Sequence, residues 1–374
     1  MAMPPAFDIQ PLGRVVFEPG ALNRLGELTR SLGGARALLV TDPGLESAGH
    51  PQRAAESLRR GGYAVTVFDR VKENPTEAEV ADGVSVAKAA NIDIIVAVGG
   101  GSSMDCAKGI NFLYTTGGRM ADYRGHDKAT KPMLPSVGVP TTAGTGSEAQ
   151  SYALITDASS HAKMACGDKK AAFRISILDP EVTLSQPRMV TAVTGIDAIA
   201  HAVESLVCTK ANPVSRLYSL AAWQHLEPNF EVVLREPNNL AARAAMQLGS
   251  HFAGMAIEAA MLGVCHSCAN PLTAHYGLTH GTAIGIMLPH VVRYNAAVAN
   301  GHYGQLNANA GEGLAARLVE LVRAAGLPTT LSEVGVDAGM LPLLAHEANG
   351  QWTARFNPRI VDEAAILGIY RNAY

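Results

Sequence analysis

The sequence predicts an α/β domain, with a parallel sheet and flanking helices, followed by an all-helical domain. In the first half of the chain, short apolar runs alternate with helical stretches, as in right-handed β–α–β units. Beyond about residue 183, helical periodicity dominates and few stretches alternate with a period of two. The 374 residues are about twice the usual domain size. We therefore predict two domains, residues 1–183 and residues 184–374.

Alternating strand and helix signals support the α/β prediction. Residues 34–42 (GARALLVTD) form a short apolar run that ends in a polar turn, as expected of a buried parallel strand. A helix is predicted at residues 50–60, a strand at 64–69, a helix at 76–90 and a strand at 92–98. In the second half, long helices are predicted at residues 188–207, 213–235, 239–264 and 282–299, and a closing amphipathic helix near the C-terminus.

A run of three glycines follows the strand at 92–98. Gly99, Gly100 and Gly101 precede Ser102 and a helix that carries Asp105. Consecutive glycines let backbone N–H groups approach an anion closely, and a helix N-terminus favours negative charge. The turn is either a diphosphate cradle or a glycine-rich connection without a ligand. It matches neither G-x-G-x-x-G nor a Walker loop.

A loop rich in hydroxyl groups follows a later apolar strand that ends at Pro140. It can hydrogen-bond a diphosphate or a nicotinamide ribose without adding charge, and a plain polar connection is the alternative. Its donors are Thr141, Thr142, Thr145 and Ser147.

Two charged residues bear on the choice of dinucleotide. Asp42 lies at the tip of the first predicted strand of this region, where a carboxylate accepts from ribose hydroxyls of NAD and repels the extra phosphate of NADP. The alternative is an ordinary turn aspartate before Pro43 and Gly44. Lys163 either neutralises cofactor charge or is a solvated surface lysine. NAD is favoured over NADP.

Four residues in the second half have the chemistry of a metal site. Asp197 and His201 are i and i+4 on a predicted helix, so both project from one face. His266 and His280 follow fourteen residues apart. One carboxylate and three imidazoles can surround a divalent first-row metal and leave a position for a substrate oxygen; both iron(II) and zinc suit this set. Taken singly, each residue is more commonly structural, and their joint occurrence with the glycine turn favours the metal site.

Bulk properties exclude several classes of function. A net charge of −3 and a pI near 6.5 provide no basic field for nucleic acid or an acidic membrane. No uninterrupted apolar run reaches the ~18 residues of a membrane helix, and we expect no signal peptide. Five scattered cysteines fit reduced thiols in a cytoplasm. Cys265 and Cys268 form a C-x-x-C that we interpret as two buried small residues on a helix, not a redox pair.

Four ordered motifs together resemble the iron-containing (group III) alcohol dehydrogenases, from about Phe17 to the C-terminus. They are GGGSSMDCAK, PTTAGTGSE, TGIDAIAHAVES and CHSCANPLTAHYGLTHG. The resemblance implies a dinucleotide-binding α/β domain, an all-helical domain, and a cleft between them that holds metal and nicotinamide. It also implies hydride transfer between nicotinamide and a small primary alcohol or aldehyde, a homodimer or larger homo-oligomer, and iron as the metal.

The resemblance implies roles for particular residues. The metal ligands would be Asp197, His201, His266 and His280. The dinucleotide contacts would be Asp42, Asn74, Gly99, Gly100, Gly101, Ser102, Asp105, Thr141, Thr142, Thr145 and Lys163. Leu178 either lies near the ribose or is a plain core leucine at a strand end.

The sequence departs from the family at Asn270. Many members carry a histidine four residues after the first of the two later metal histidines, where it is thought to relay a proton. An amide is neither acid nor base near neutral pH. His275, Tyr276 or a chain of water and ribose hydroxyls would have to replace it; a histidine bonded to backbone is the alternative for His275.

Three other functions remain as alternatives. A maleylacetate-reductase-like enzyme would work without metal, which the intact Asp197 and three histidines oppose. A lyase resembling dehydroquinate synthase would need a more basic, phosphate-binding site. A non-catalytic dinucleotide-binding protein would show no turnover.

Overall fold

The computed structural model describes residues 6–10, 12–158 and 163–374. The chain divides into two compact units, one of Gln10–Gln186 and one of residues 6–9 with Pro187–Tyr374. The division falls after Gln186 because backbone hydrogen bonds tie residues 184–186 to the 3-10 turn Pro180–Thr183. A long helix begins directly after Pro187. Residues 1–5, on which the expectation about a signal peptide partly depends, lie outside the described residues.

The described residues of the unit Gln10–Gln186 form two sheets and four α-helices. Its strands are β1 (Arg14–Phe17), β2 (Arg36–Val40), β3 (Ala64–Phe68), β4 (Ile94–Gly99), β5 (Gly125–His126), β6 (Ser136–Pro140), β7 (Tyr152–Thr156), β8 (Lys163–Gly167) and β9 (Ile175–Leu178). Its helices are α1 (Leu25–Thr29), α2 (His50–Arg60), α3 (Glu77–Ala90) and α4 (Gly101–Thr116).

The larger sheet has the strand order β1-β9-β6-β4-β2-β3, and all its pairs are parallel. Successive residues of a strand face opposite sides, so Leu38 packs with α3 and α4, whereas Leu39 packs with α1 and α2. Every residue of β4 is buried. The predicted parallel sheet with helices on its faces is confirmed.

The strand order reverses between β2 and β4. From β2 the chain crosses to β3 on one side and then returns to β4 on the other. In open α/β sheets, ligands bind outside the carboxyl ends of the strands at such a switch point. Asp42 follows β2 and the glycine run ends β4, so both lie at this position.

A second sheet of three strands, β5-β8-β7, was not predicted. β7 and β8 pair antiparallel, with Thr156 opposite Lys163. β7 packs on α4, so this small sheet lies next to the helix that begins at the glycine run.

The second unit is helical, and its described residues form no strand. Its helices are α5 (Arg188–Val207), α6 (Pro213–Arg235), α7 (Leu240–Ala259), α8 (Val264–Tyr276), α9 (His280–Tyr303), α10 (Ala310–Ala325), α11 (Leu341–Gly350) and α12 (Glu363–Ala373). α5 packs against α6, α7 and α9. By length and composition α5 is apolar enough to cross a membrane, but 83% of its most apolar window is buried in the fold. We therefore interpret it as the core helix of this unit.

The single helix predicted at residues 239–264 is wrong. α7 ends at Ala259, α8 begins at Val264, and their axes differ by 107°. Ala260 leaves helical geometry (φ −142°, ψ −111°), and Gly263 is extended. Most residues of this segment favour a helix, and Gly263 is only a weak local signal because Gly249 and Gly254 lie inside α7. Contacts made by the start of α8 stabilise the break.

Candidate metal centre and dinucleotide site

One face of α5 carries three acidic or imidazole side chains. Asp197, His201 and Glu204 are spaced i, i+4 and i+7, so a helix of 3.6 residues per turn stacks them along one stripe. Their exposed fractions are only 6%, 5% and 3%. Burial of so many ionisable groups on one helix face indicates that they satisfy one another or a shared ligand.

The three predicted histidines meet at Asp197. Its Oδ1 atom lies 3.3 Å from His201 Nε2, 3.5 Å from His266 Nε2 and 3.7 Å from His280 Nε2. The rings of His201 and His266 stack with centroids 4.9 Å apart. Residues from α5, the first turn of α8 and the first turn of α9 thus converge on one point.

The arrangement fits a cation. Asp197 Oδ1 and His266 Nε2 are buried and make no hydrogen bond within the described residues, which in a protein interior costs about 1–3 kcal/mol per group. The ligand atoms of Asp197, His201 and His266 lie within 4.8 Å of one another. Two bonds of about 2.0–2.2 Å to a shared cation would span the 3.3–3.7 Å between Asp197 Oδ1 and the three imidazole nitrogens. One carboxylate oxygen and imidazole nitrogens are donors that iron(II) and zinc accept.

The charges of the cluster are strongly coupled. Burial alone would raise the pKa of the Asp197 carboxyl, but the neighbouring His201, His266 and His280 outweigh it and hold that pKa well below its usual range. Burial alone would lower the pKa of His266, but the carboxylates of Glu204 and Asp197 raise it to about 9. Without a cation the cluster therefore holds a carboxylate beside a protonated imidazole, and a bound cation would displace that proton.

Sequence reasoning missed Glu204. Its Oε2 accepts from His266 Nδ1 at 2.5 Å, and its Oε1 accepts from the backbone N–H of Cys265 at 2.8 Å. The i+7 spacing from Asp197 was a usable signal, but a glutamate on a helix is ordinarily a solvated residue. Only the position of α8 shows that this carboxylate is buried.

Asn270, at the position where many family members carry the relay histidine, and His275, one candidate to replace it, both contact the region of α11. Asn270 Nδ2 donates to Gln351 Oε1 at 3.2 Å. His275 Nε2 lies 3.0 and 2.9 Å from the two carboxylate oxygens of Glu347. The partner of His275 is thus a carboxylate and not the backbone. The part that either residue plays in proton transfer stays a prediction.

The two cysteines of the C-x-x-C motif are buried, as predicted. Cys265 and Cys268 are free and buried. Burial is the main cause that raises the pKa of both thiols. Protonated, buried thiols of this kind are poor nucleophiles, which confirms their interpretation as packing residues.

Asp42 lies against the glycine turn at the switch point. Its Oδ1 accepts from Gly44 N at 3.1 Å, and its Oδ2 accepts from Ser103 Oγ at 3.1 Å. If Gly99 were replaced by a residue with a side chain, its Cβ atom would lie only 3.1 Å from the same Oδ2. Ser103, which sequence reasoning also missed, therefore holds the carboxylate beside the turn.

The glycine turn packs closely on the hydroxyl-rich loop. A Cβ on Gly101 would lie 2.6 Å from Thr145 Cγ2, and one on Gly99 would lie 2.3 Å from Ser103 Oγ. Larger residues at these two positions would push the turn away from the loop and from the start of α4. The first amides of α4 have no intrahelical acceptor, so the turn keeps the features of an anion site.

The other predicted contacts surround the same turn. Asn74 has a positive φ of 53° and donates its backbone N–H to Ser102 Oγ at 3.2 Å. Thr141 donates its backbone N–H to Gly99 O at 3.0 Å. A Cβ atom added at Gly100 would lie 3.4 Å from Thr142 Cγ2, which is an ordinary contact distance. The structure thus places these predicted residues next to one another.

Asp105 belongs to a buried network behind the loop. It accepts from Ser147 Oγ at 2.6 Å, and Lys108 Nζ lies 3.9 Å from the same carboxylate. Burial raises the pKa of Asp105, and the charges of Lys108 and Lys163 partly oppose that rise. Lys108 also donates to Ser147 O at 2.7 Å and to Tyr152 O at 2.7 Å. This network holds the end of the hydroxyl-rich loop.

Leu178 ends β9 and is fully buried. Its carbonyl accepts from Glu18 N at 3.2 Å. Contact of this residue with a ribose stays a prediction.

Comparison with known proteins agrees with the motifs. Residues 13–180 match the family model of iron-containing alcohol dehydrogenases, and residues 191–374 match the C-terminal model of the Fe-containing alcohol dehydrogenase family. The chain is 35% identical to the 1,3-propanediol dehydrogenase of Klebsiella pneumoniae, over 96% of both chains. It is 33% identical to the NAD-dependent methanol dehydrogenase of Bacillus methanolicus, over 96% of this chain and 97% of that one.

A solved structure confirms the fold. The crystal structure of a 1,3-propanediol oxidoreductase superposes with a TM-score of 0.95 at 35% identity, and covers 99% of this chain and 100% of that one. Family models, relatives above 30% identity and a solved structure therefore agree over nearly the whole length. The chain belongs to the iron-containing alcohol dehydrogenase family of oxidoreductases.

Proposed function

We propose that the protein is an NAD-linked alcohol dehydrogenase and aldehyde reductase that uses iron(II) and acts on a small primary alcohol. The convergence of one carboxylate and three imidazoles, with buried Asp197 and His266 atoms that lack a hydrogen bond, is the observation that supports the metal. The names of the two relatives, a 1,3-propanediol and a methanol dehydrogenase, support a short alcohol. The intact ligand set gives no support to a metal-independent reductase.

The candidate residues form a metal-binding set and a dinucleotide-binding set. Asp197, His201, His266 and His280 would hold the cation, which supplies Lewis acidity toward an alcohol or carbonyl oxygen, while the nicotinamide carries the hydride. In the other unit, the amides at the start of α4 would bind the diphosphate.

Asp42 supports NAD as the dinucleotide. Its carboxylate has a fixed orientation from Ser103 and Gly44, and a fixed carboxylate accepts from ribose hydroxyls. The same negative charge would repel the additional phosphate of NADP. The hydroxyls of the Thr141–Thr145 loop would bind the dinucleotide without adding charge.

The proposal extends to compartment and assembly. Five free cysteines, all buried, fit a reducing compartment, so we propose that the protein works in the cytoplasm. The family resemblance supports a homodimer or larger homo-oligomer.

The test is turnover with defined metal content. The purified protein is stripped of metal and then loaded with iron(II) or with zinc. Consumption of NADH and of NADPH is followed with propanal and with other short aldehydes. We expect metal-dependent oxidation of NADH, and slower reaction with NADPH. His266→Ala should lose metal while it keeps NAD binding and the fold. Absence of turnover with either metal and either dinucleotide would contradict the proposal.

A further inference from the structure

We propose that Glu204 is a positioning residue that orients the metal ligand His266 and anchors the start of α8, so that the cation site depends on its being a carboxylate. The inference rests on the proposed function, because it assumes that the cluster binds a cation. Glu204 does not touch the cation site itself; it acts through His266.

Both oxygens of Glu204 are used by the first turn of α8. Oε1 accepts from Cys265 N at 2.8 Å, one of the amides at a helix start that lack an intrahelical acceptor. Oε2 accepts from His266 Nδ1 at 2.5 Å. A proton on Nδ1 leaves the lone pair of Nε2 directed at Asp197 Oδ1, 3.5 Å away, where a cation would be bound.

Only a carboxylate can make both contacts. The backbone N–H of Cys265 is always a donor, and the His266 ring must donate from Nδ1 if its Nε2 is to bind a cation. Two donors therefore converge on one side chain, and both of its terminal atoms must be acceptors. A glutamine of the same shape offers one acceptor and one donor. In one orientation it would lose the contact to the helix start, and in the other it would require a proton on His266 Nε2.

The surroundings of Glu204 leave little freedom. A Cβ on Gly263 would lie 2.8 Å from Glu204 Oε1 and 3.1 Å from Asn357 Oδ1. Asn357 is itself held by Asn295 through two reciprocal hydrogen bonds of 3.0 and 2.7 Å. The glycine before α8 thus allows the carboxylate to approach, and the paired amides keep this region fixed. The two contacts from α5 hold the first turn of α8, and with it His266, beside Asp197.

The experiment compares cation affinity in three forms of the whole protein. Metal-free wild type, Glu204→Gln and Glu363→Gln are titrated with zinc, and separately with cobalt(II), against a chromophoric chelator. Glu363 is the matched control, since it pairs with His346 Nδ1 at 2.9 Å on the surface of the same unit. We expect affinity about 10–100-fold weaker in Glu204→Gln, a changed cobalt(II) absorption spectrum, and wild-type values in Glu363→Gln.

The outcomes separate the two proposals. If the wild type binds neither cation, the proposed metal-dependent function fails. If the wild type binds and Glu204→Gln binds equally tightly with the same spectrum, the positioning role is overturned. Should Glu204→Gln not fold, histidine-selective 15N NMR of the zinc-loaded wild type decides. A protected, downfield imidazole N–H on Nδ1 of His266 supports the inference, and its absence overturns it.

Discussion

Gly281 controls how closely α9 approaches α5. It follows the ligand His280 directly, and a Cβ at this position would lie 2.0 Å from the carbonyl oxygen of Val193 and 2.6 Å from its carbon. Val193 lies one helical turn before Asp197. The missing side chain at Gly281 therefore lets the backbone of α9 touch the backbone of α5 beside the candidate metal site.

The consequence of Gly281→Ala can be estimated from that contact. Ordinary contacts of a Cβ begin at 3.4 Å, and backbone atoms cannot rotate away, so the start of α9 must withdraw by more than about 1 Å. Overpacking of this kind costs about 1–3 kcal/mol of stability. Metal–ligand distances tolerate only about 0.2 Å, so His280 would leave the site. We expect zinc affinity to fall by at least about tenfold, comparable with other losses of ligand positioning.

The matched control is Gly301→Ala. Gly301 lies in the same helix, and a Cβ there would meet nothing within 4 Å. Alanine at such a site should stabilise the helix by about 0.5–1 kcal/mol. Urea unfolding of the metal-free proteins measures the stability difference, and chelator competition measures zinc affinity.

Equal zinc affinity in the two alanine variants would refute this reasoning. Loss of stability in Gly281→Ala with unchanged affinity would show that His280 does not depend on the close approach of the helices.

Three further predictions concern other parts of the molecule. Asp42→Ala should move the preference between NADH and NADPH toward NADPH by at least about tenfold, measured as the ratio of kcat/KM, because charges about 4 Å apart near a surface repel by roughly 4 kcal/mol. Lys108→Met should cost about 3–5 kcal/mol of stability and weaken NAD binding, because it removes the nearest cation to the Asp105 carboxylate and the buried donor to Ser147 O and Tyr152 O. The exposed Lys88→Met should change neither the stability measured by urea unfolding nor the affinity measured by NAD titration. Burial, and to a smaller extent the charge of Arg293, lowers the pKa of His290 from 6.5 to about 4. As the pH falls, the unfolded chain therefore binds this proton before the folded protein does. The free energy of unfolding should fall as the pH drops from 6.5 toward 4. His290→Gln should remove up to about 1.4 kcal/mol of this loss per pH unit; the effect should be smaller than that limit because the ring is partly exposed. Equal pH dependence of unfolding in both proteins would contradict the prediction.

The sequence was enough to predict those elements whose own residues show a recognisable pattern. Short apolar runs between helices indicated the parallel sheet, because strands buried on both faces are continuously apolar. The glycine run and Asp42 were placed correctly at strand ends, since a strand-to-helix turn is visible in the residues that form it. Asp197 and His201 could be assigned to one face from their spacing alone.

Contacts between distant segments decided the rest. The break between α7 and α8 has only a weak local signal, Gly263, because glycines also lie inside α7. The first turn of α8 is held by Glu204, about sixty residues earlier in the chain. Gly281 and Lys108 look unremarkable in sequence, since a glycine reveals nothing of the backbone it will touch and a lysine is usually solvated. The sequence by itself determined which side chains could bind a cation and a dinucleotide. Only the tertiary structure decided which of them meet, because burial and approach depend on how helices pack and not on the residues adjacent in the chain.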